Sequence, residues 1–362
     1  MRGRFTRHGL RRIAGRRIAK LAICALSLAG AAAVTLASAA LSAQDLRFFR
    51  IGTGSTAGVN FSIGGLISSV VSNPPGSRPC ERGGSCGIPG LIAVAQATQG
   101  SADNAAEVGR GRLDSAIIQA DVAAQAYEGK GAFAKANRQA DLRALASLYP
   151  ETLQIVVRRD AKIRNLAGLK GKRVSIDTAG SGTQALARSV LARAGLRPAD
   201  FKPSMVDLGA GVDMMRNGQL DALFYVGGVP APAIAQLADL VPIDLLPLPP
   251  AVLAALRKEE PAYLAMTVLA GSYAGVTTDI ASMGIYSLWV TNSKLSDDMA
   301  YNLLKALWHK SAQPMLTNGH PAGRQMALAS ALNGLTIPLH AGAARFYTDM
   351  KLLKTATPPA KP

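Results

Sequence analysis

The chain has 362 residues and is 49% hydrophobic, enough for a large packed core, which excludes disorder as the state of the whole chain. That length fits two domains or one large α/β unit. The formal charge of +17 overstates the basicity of the body: eight positives and no acid fall in the first twenty residues, and removing eight leaves +9. The remaining Lys and Arg are scattered without a basic run, and aromatics make up only 5% of the chain, which argues against nucleic-acid binding and suits an acidic small ligand.

Residues 1–20 form a basic segment, residues 21–36 are apolar and uncharged, and small residues follow at Ala37-Ser38-Ala39 and Leu41-Ser42-Ala43. This three-part pattern reads as a secretory signal over 1–43, cut after Ala39 or Ala43. An uncleaved anchor over Leu21–Ala43 is the alternative, and Arg11-Arg12 and Arg16-Arg17 give a weak hint of a twin-arginine signal. The expected location is the periplasm.

Arg47–Ser72 reads as a strand, a turn carrying Gly52, Gly54 and Gly58, and an amphipathic helix burying Val59, Ile63, Leu66, Ile67 and Val70. Gly54, Ser55, Thr56 and Asn60 are candidate ligand contacts, because hydroxyls and free N–H groups at a helix start attract anions. A Ser- or Thr-capped turn with no ligand is the plain alternative. The loop 73–90 is rich in Pro and Gly and holds Cys80 and Cys86, a spacing that in an exported chain reads first as a local disulfide. A metal site there would need more ligands, and the histidines at positions 8, 309, 320 and 340 are distant in sequence.

An extended apolar stretch at 91–99 and a helix through 105–110 lead to a short buried strand, Leu113–Gln119, and a further helix with Asp121 in its first turn. Gln119 sits at the strand end and is a site candidate. Leu142–Arg158 reads as two extended segments broken at Tyr149-Pro150, with Glu151 opening the second. A strand over Arg173–Ile176 then leads into a second glycine turn, Gly180, Ser181, Gly182 and Thr183, and a helix ending at Gly195. Phe201–Val206, Asp221–Val226 and Val241–Leu246 are strands, with Tyr225 and Gly227 as further candidates at the end of the second of them. Ala251–Arg257 is a helix, Tyr263–Asp279 is extended, Met283–Thr291 is a strong strand, and Asp297–Lys310 opens a mostly helical end. Thr355–Pro362 is a flexible, Pro-rich tail.

This alternation predicts an α/β protein with helices on both faces of parallel sheets. Ligands of open α/β sheets sit at the carboxyl ends of strands, where both glycine turns fall. Catalytic motifs are incomplete. The Gly52-x-Gly54-x3-Gly58 spacing lacks the acidic strand end of a dinucleotide site, and no Gly-Lys-Ser/Thr follows it. Ser181 does not sit in a Gly-x-Ser-x-Gly elbow, and no histidine is singled out as its base. The expectation is a binder with no catalytic residue, cofactor or metal.

IGTGSTAGVNFSIGG near residue 51, RLDSAIIQADVAAQAYEG at 112–129, LYPETLQIVV at 148–157, LKGKRVSIDTAGSGTQ at 169–184 and LDALFYVGGVPAPAI at 220–234 together resemble the TAXI family. These are solute receptors of tripartite ATP-independent periplasmic (TRAP) transporters. The resemblance covers Phe48–Tyr347. It implies a two-lobed periplasmic binding protein fold, class II type, with two parallel-mixed sheets flanked by helices. Lobe 1 is expected from 44–150 and 288–354, lobe 2 from 151–287, with hinges near Leu148–Leu153 and Met283–Leu288. It also implies no catalysis, capture of a small organic anion (a dicarboxylate or an acidic amino acid such as glutamate) and delivery to a TRAP membrane permease. A receptor of an ATP-driven importer, and less so a secreted hydrolase, are the alternatives. Asn60-Phe61 departs from the aromatic pair of the family, and the Cys80–Cys86 loop occurs in only part of it, so ligand identity stays open.

Overall fold

A computed structural model describes residues 46–134 and 137–354; residues 1–45, which include the leader expected at 1–43, residues 135–136 and the tail at 355–362 lie outside the described residues. The described residues from Arg47 to Lys354 belong to one compact unit.

In chain order, strand β1 (Arg47–Gly52) feeds helix α1 (Val59–Val71), followed by the short strands β2 (Ser72–Asn73) and β3 (Ile88–Pro89) and by β4 (Leu91–Gln96). Helix α2 (Ser101–Gly109), β5 (Ser115–Gln119) and α3 (Ala120–Glu128) come next, then the long strand β6 (Leu142–Arg158). The middle of the chain alternates: β7 (Arg173–Ser175), α4 (Gly182–Arg193), β8 (Lys202–Ser204), α5 (Leu208–Arg216), β9 (Ala222–Gly227), α6 (Pro232–Leu240), β10 (Ile243–Leu245) and α7 (Pro250–Glu259). Strands β11 (Leu264–Val268) and β12 (Ile280–Asn292) precede α8 (Asp297–Leu307), α9 (Gln313–Gly319) and α10 (Ala341–Asp349).

The α/β class is as the alternation predicts, but the pairing is mixed, as the family resemblance implies, and not all parallel. The strands run β4-β1-β5-β12-β6-β9-β7-β8, with β10 added to β6 and β11 to β12, so the sheet is continuous from one end to the other. β1 is parallel to β4 and β5, and β7 is parallel to β8 and β9. Between these two parallel groups run β12 and β6, antiparallel to each other and to their neighbours. The first half of β6 and the second half of β12 pair beside β5; further along, β6 pairs with β9 and β10, and β12 with β11.

The break expected at Tyr149-Pro150 does not occur: β6 runs unbroken through it. Pro150 supplies no N–H to the ladder, and a strand tolerates it at irregular pairing. The register between β6 and β12 shifts just there, between Ser287 and Leu288, with Pro150 facing Tyr286. The helix expected from Ala105 starts earlier, at Ser101, and the segment expected to be extended over 263–279 keeps strand only at Leu264–Val268.

The strands bury both faces, as a sheet covered by helices on both sides must. On β5, Ile117 joins one core and Ala116 and Ile118 the other. On β12, Trp289 points to the first core, and Leu288 and Val290 to the second. The first core takes Val59, Ile63 and Ile67 of α1, and Leu66 packs against it half-buried. The second takes Leu186, Val190 and Leu191 of α4. Each fully buried aliphatic or aromatic side chain of this kind is worth about 1.5–3 kcal/mol. The rigid sheet therefore fixes the strand ends from which the polar turns project.

Cys80 and Cys86 are joined in a disulfide, as their spacing predicts. The sequence put every histidine far from this pair, yet the fold brings His309 beside it, with ligand-capable atoms of all three within 4.8 Å. The sulfurs are bonded to each other, so neither offers a free thiolate.

Candidate functional site

The end of β1 and the turn behind it are pinned first. Thr53 is buried, and its N–H and Oγ1 both donate to the Gln96 carbonyl, at 3.0 and 2.8 Å. The Gly54 carbonyl accepts from Thr98 N at 3.2 Å. Helix α1 then starts without a side-chain cap, because Gly58 occupies the capping position. A helix start leaves N–H groups in need of partners. One of them, Val59 N, donates 3.0 Å to the Tyr225 hydroxyl, which arrives from β9 far along the chain.

The second turn is built differently. Asp177, just past β7, has a left-handed backbone at φ 69, and Gly180 one at φ 86. Ser181 caps α4, its Oγ accepting from Gln184 N at 3.0 Å. Thr183 Oγ1 accepts from Val226 N at 3.1 Å, tying the start of α4 to β9. The Gly180 carbonyl accepts from Ala102 N at 3.0 Å, so the second turn also touches the first residues of α2. Asp207 caps α5 through Ala210 N at 2.9 Å and accepts from Ser55 Oγ at 2.9 Å.

Between these groups lies a cavity of ≈ 60 Å³, lined by residues 53–55, 58 and 60, 98–101, 119, 177–178, 181–183, 207–208 and 225–226. At roughly 30 Å³ per water, that is room for about two water molecules. Of the sequence candidates, Gly54, Ser55, Asn60, Gln119, Ser181, Gly182, Thr183 and Tyr225 line it. Thr56, Gly180 and Gly227 do not. Thr56 is exposed on the outer side of the turn, and Gly180 is one residue too early, spending its carbonyl on α2. Gly227 acts from behind: a Cβ there would come within 2.2 Å of the Tyr225 hydroxyl, so glycine is what lets that tyrosine reach Val59.

A buried carboxyl stands behind the cavity. Glu151 of β6 is 0% exposed and accepts from Asn60 Nδ2 at 2.8 Å and from Gln119 Nε2 at 2.7 Å. Burial pushes its pKa up, and the two amides and Ser287 oppose that by bonding the charged form. The Tyr149 hydroxyl donates 2.5 Å to Asn60 Oδ1. Asn60, read from the sequence as a marker of the ligand, thus has both ends of its amide engaged by protein groups. Gln119 differs. Its Nε2 is engaged by Glu151, but its Oε1 is buried with no partner. This amide lies so close to the first residue of α4 that a Cβ on Gly182 would fall 1.8 Å from Oε1.

The sequence missed Thr98–Ser101, Asp177 and Asp207. Asp177 and Asp207 had a readable signal, since each is an acid at the end of a strand, ahead of a helix. Glu151 is a lone acid inside a seventeen-residue, largely apolar strand, a pattern that signals a buried, paired carboxyl. Asp177 has its pKa raised, by burial first and by the nearby Asp207, against hydrogen bonds from Thr178 N, Ser181 and Thr183. Chemically the site offers hydroxyls, amides and carboxylates. The Ser181 hydroxyl is taken up by its cap and by Asp177, and no histidine or cysteine is among the residues lining the cavity.

Solved structures similar to this chain include PhnD1 from Prochlorococcus marinus in complex with methylphosphonate, 10% identical with a TM-score of 0.49 over 84% of this chain and 99% of that one. A binding protein component of an ABC phosphonate transporter from Pseudomonas aeruginosa is 12% identical, with a TM-score of 0.48 over 80% and 84% of the two chains. The alkanesulfonate-binding protein SsuA from Xanthomonas axonopodis pv. citri is 16% identical, with a TM-score of 0.45 over 85% and 94%. No described helix is long and apolar enough to cross a membrane. The sequence profile of the NMT1-like family matches residues 51–350, and the chain belongs to that family.

Proposed function

We propose that this chain is the extracytoplasmic solute receptor of a membrane importer, capturing one small polar solute between two lobes and releasing it to a permease. The observation that carries the reading is the convergence of the ends of β1, β4, β5, β7, β8 and β9 and the starts of α1, α2, α4 and α5 on one cavity, with hydrogen bonds running directly between them. Ser55 to Asp207, Val59 to Tyr225 and Ala102 to Gly180 join segments from opposite ends of the strand order. In this reading, residues 44–150 with 288–354 form lobe 1 and residues 151–287 form lobe 2. β6 and β12 are the hinge strands, bending at the register shift near Pro150 and Ser287. The anionic group of the solute is held by N–H groups at the starts of α1 and α4 and by the Tyr225 hydroxyl, which accepts from Val59 N and keeps its own proton to donate. The ligand contacts are Gly54, Ser55, Gln119, Ser181, Gly182, Thr183 and Tyr225, with Asn60 positioned through Glu151.

The leader at 1–43 is proposed to export the chain to the periplasm. The permease is proposed as an ATP-driven importer, the type of system that the phosphonate-binding component above belongs to by name, or as the TRAP permease that the TAXI resemblance implies. Co-purification of the receptor with the membrane proteins of its host separates the two, by recovering an ATPase subunit or a large permease without one. A thermal-shift screen of the whole chain against amino acids, dicarboxylates, sulfonates and phosphonates tests the receptor reading. A solute at 100 times its Kd stabilises by about 2.7 kcal/mol, a rise of several degrees. No shift with any compound at millimolar concentration refutes the reading.

A further inference from the structure

The wall of the cavity is one-sided in charge. Asp177 and Asp207 both face it, and no Lys, Arg or His is among the residues that line it. Neither carboxylate takes part in an ion pair among the described residues. Each is held instead by neutral donors: Asp177 by Thr178 N at 2.7 Å and by the Ser181 and Thr183 side chains, and Asp207 by Ser55 Oγ and Ala210 N at 2.9 Å each. A carboxylate has about four lone-pair sites, so both keep spare accepting capacity. A third acceptor joins them. Gln119 is 3% exposed, lines the same cavity, and its Oε1 has no partner at all. A buried acceptor left empty is costly, and one on a cavity wall calls for a donor from whatever fills the cavity.

We propose that the solute carries a compact cationic N–H donor, an ammonium group, beside its acidic group, and that Asp177 and Asp207 select for it with Gln119 Oε1 as a third acceptor. This rests on the receptor reading above. An ammonium has three donors and no acceptor, which matches three acceptors and no cation. A dianion of the same size would bring a second negative charge against two fixed carboxylates with nothing to neutralise it, so a plain dicarboxylate is the wrong occupant.

The test is isothermal titration of the whole chain with matched pairs that differ by the amine: aminomethylphosphonate and methylphosphonate, taurine and ethanesulfonate, L-glutamate and glutarate. In at least one pair the amine-bearing member is expected to bind at least tenfold tighter than its partner. In a double variant, Asp177→Asn with Asp207→Asn, that preference is expected to fall below threefold. Asn caps helices as well as Asp and tolerates a left-handed backbone, so both positions keep their local structure. Amine-free acids binding as tightly as their partners, or a preference that survives the double substitution, overturn this proposal while leaving the receptor reading intact. Binding of none of the six at millimolar concentration, by a chain that melts cooperatively, counts against both the proposal and its parent.

Discussion

Gly182→Ala isolates the contact between the start of α4 and the amide of Gln119. The added Cβ would sit 1.8 Å from Oε1 and 2.6 Å from Cδ of Gln119, so the amide must move. That amide is pinned by its 2.7 Å bond to the buried Glu151, and moving it strips the carboxyl of a donor. A lost hydrogen bond to a charged group costs roughly 1.5–3 kcal/mol. Ala in place of Gly in a helix returns about 1 kcal/mol, leaving a net loss of roughly 0.5–2 kcal/mol. With about 2.1 cal/mol/K of unfolding entropy per residue over roughly 300 residues, that lowers Tm by about 1–3 °C. Differential scanning calorimetry measures it, with Gly54→Ala as control. Gly54 lines the same cavity, but a methyl group added there would have nothing within 4 Å, and its φ is not left-handed. A Gly182→Ala variant that melts as high as wild type, or a Gly54→Ala variant that falls as far, shows that the Gln119 contact does not govern this position.

Tyr225→Phe leaves Val59 N unpaired in a buried position, at a cost of about 1–3 kcal/mol; the expected result is a lower Tm together with faster release of a bound solute in stopped-flow measurements. Glu151 gives a pH signature. Its folded pKa is raised above the unfolded value, so between the two the folded state holds more protons, and the contribution of Glu151 to stability declines as pH rises through that window and then levels off. The difference in unfolding free energy between wild type and Glu151→Gln, followed by urea titration from pH 4 upward, is therefore expected to shrink with rising pH; a difference independent of pH contradicts a buried, proton-sensitive carboxyl. Replacing Cys80 and Cys86 together by serine opens a loop of sequence separation 6 and is expected to lower stability by roughly 2 kcal/mol, read from the denaturation midpoint.

Much of this architecture was legible because its signals are local. The apolar spacing of Val59, Ile63 and Ile67 marks the buried face of α1, and the two glycine turns mark strand ends. Cys80 and Cys86 are close enough in sequence to announce their bond. What escaped was set by distance along the chain. Nothing near Gly58 says that the missing cap of α1 comes from Tyr225, or that Gln119 will lie on Gly182. Asp177 and Asp207 carry only an ambiguous local mark: glycine and hydroxyl runs signal anion binding, and an acid after a strand reads first as a helix cap. Asn60 looked like a free contact for a ligand, and only the fold shows Glu151 and Tyr149 holding its amide. Pro150 read as a break, since the shift in pairing with β12 beside it, where Leu148 is skipped between Tyr149 and Ser147, is invisible from the segment alone.

The receptor reading stands or falls on two turns, one after β1 and one after β7, closing on the same solute. Hydrogen exchange with mass spectrometry, run on the whole chain with and without the solute that gives the largest thermal shift, tests this directly. Amides at 59–61 and at 182–184 are expected to gain protection together, at the same solute concentration. Protection at only one of the two turns, or at neither while the solute is bound, contradicts it.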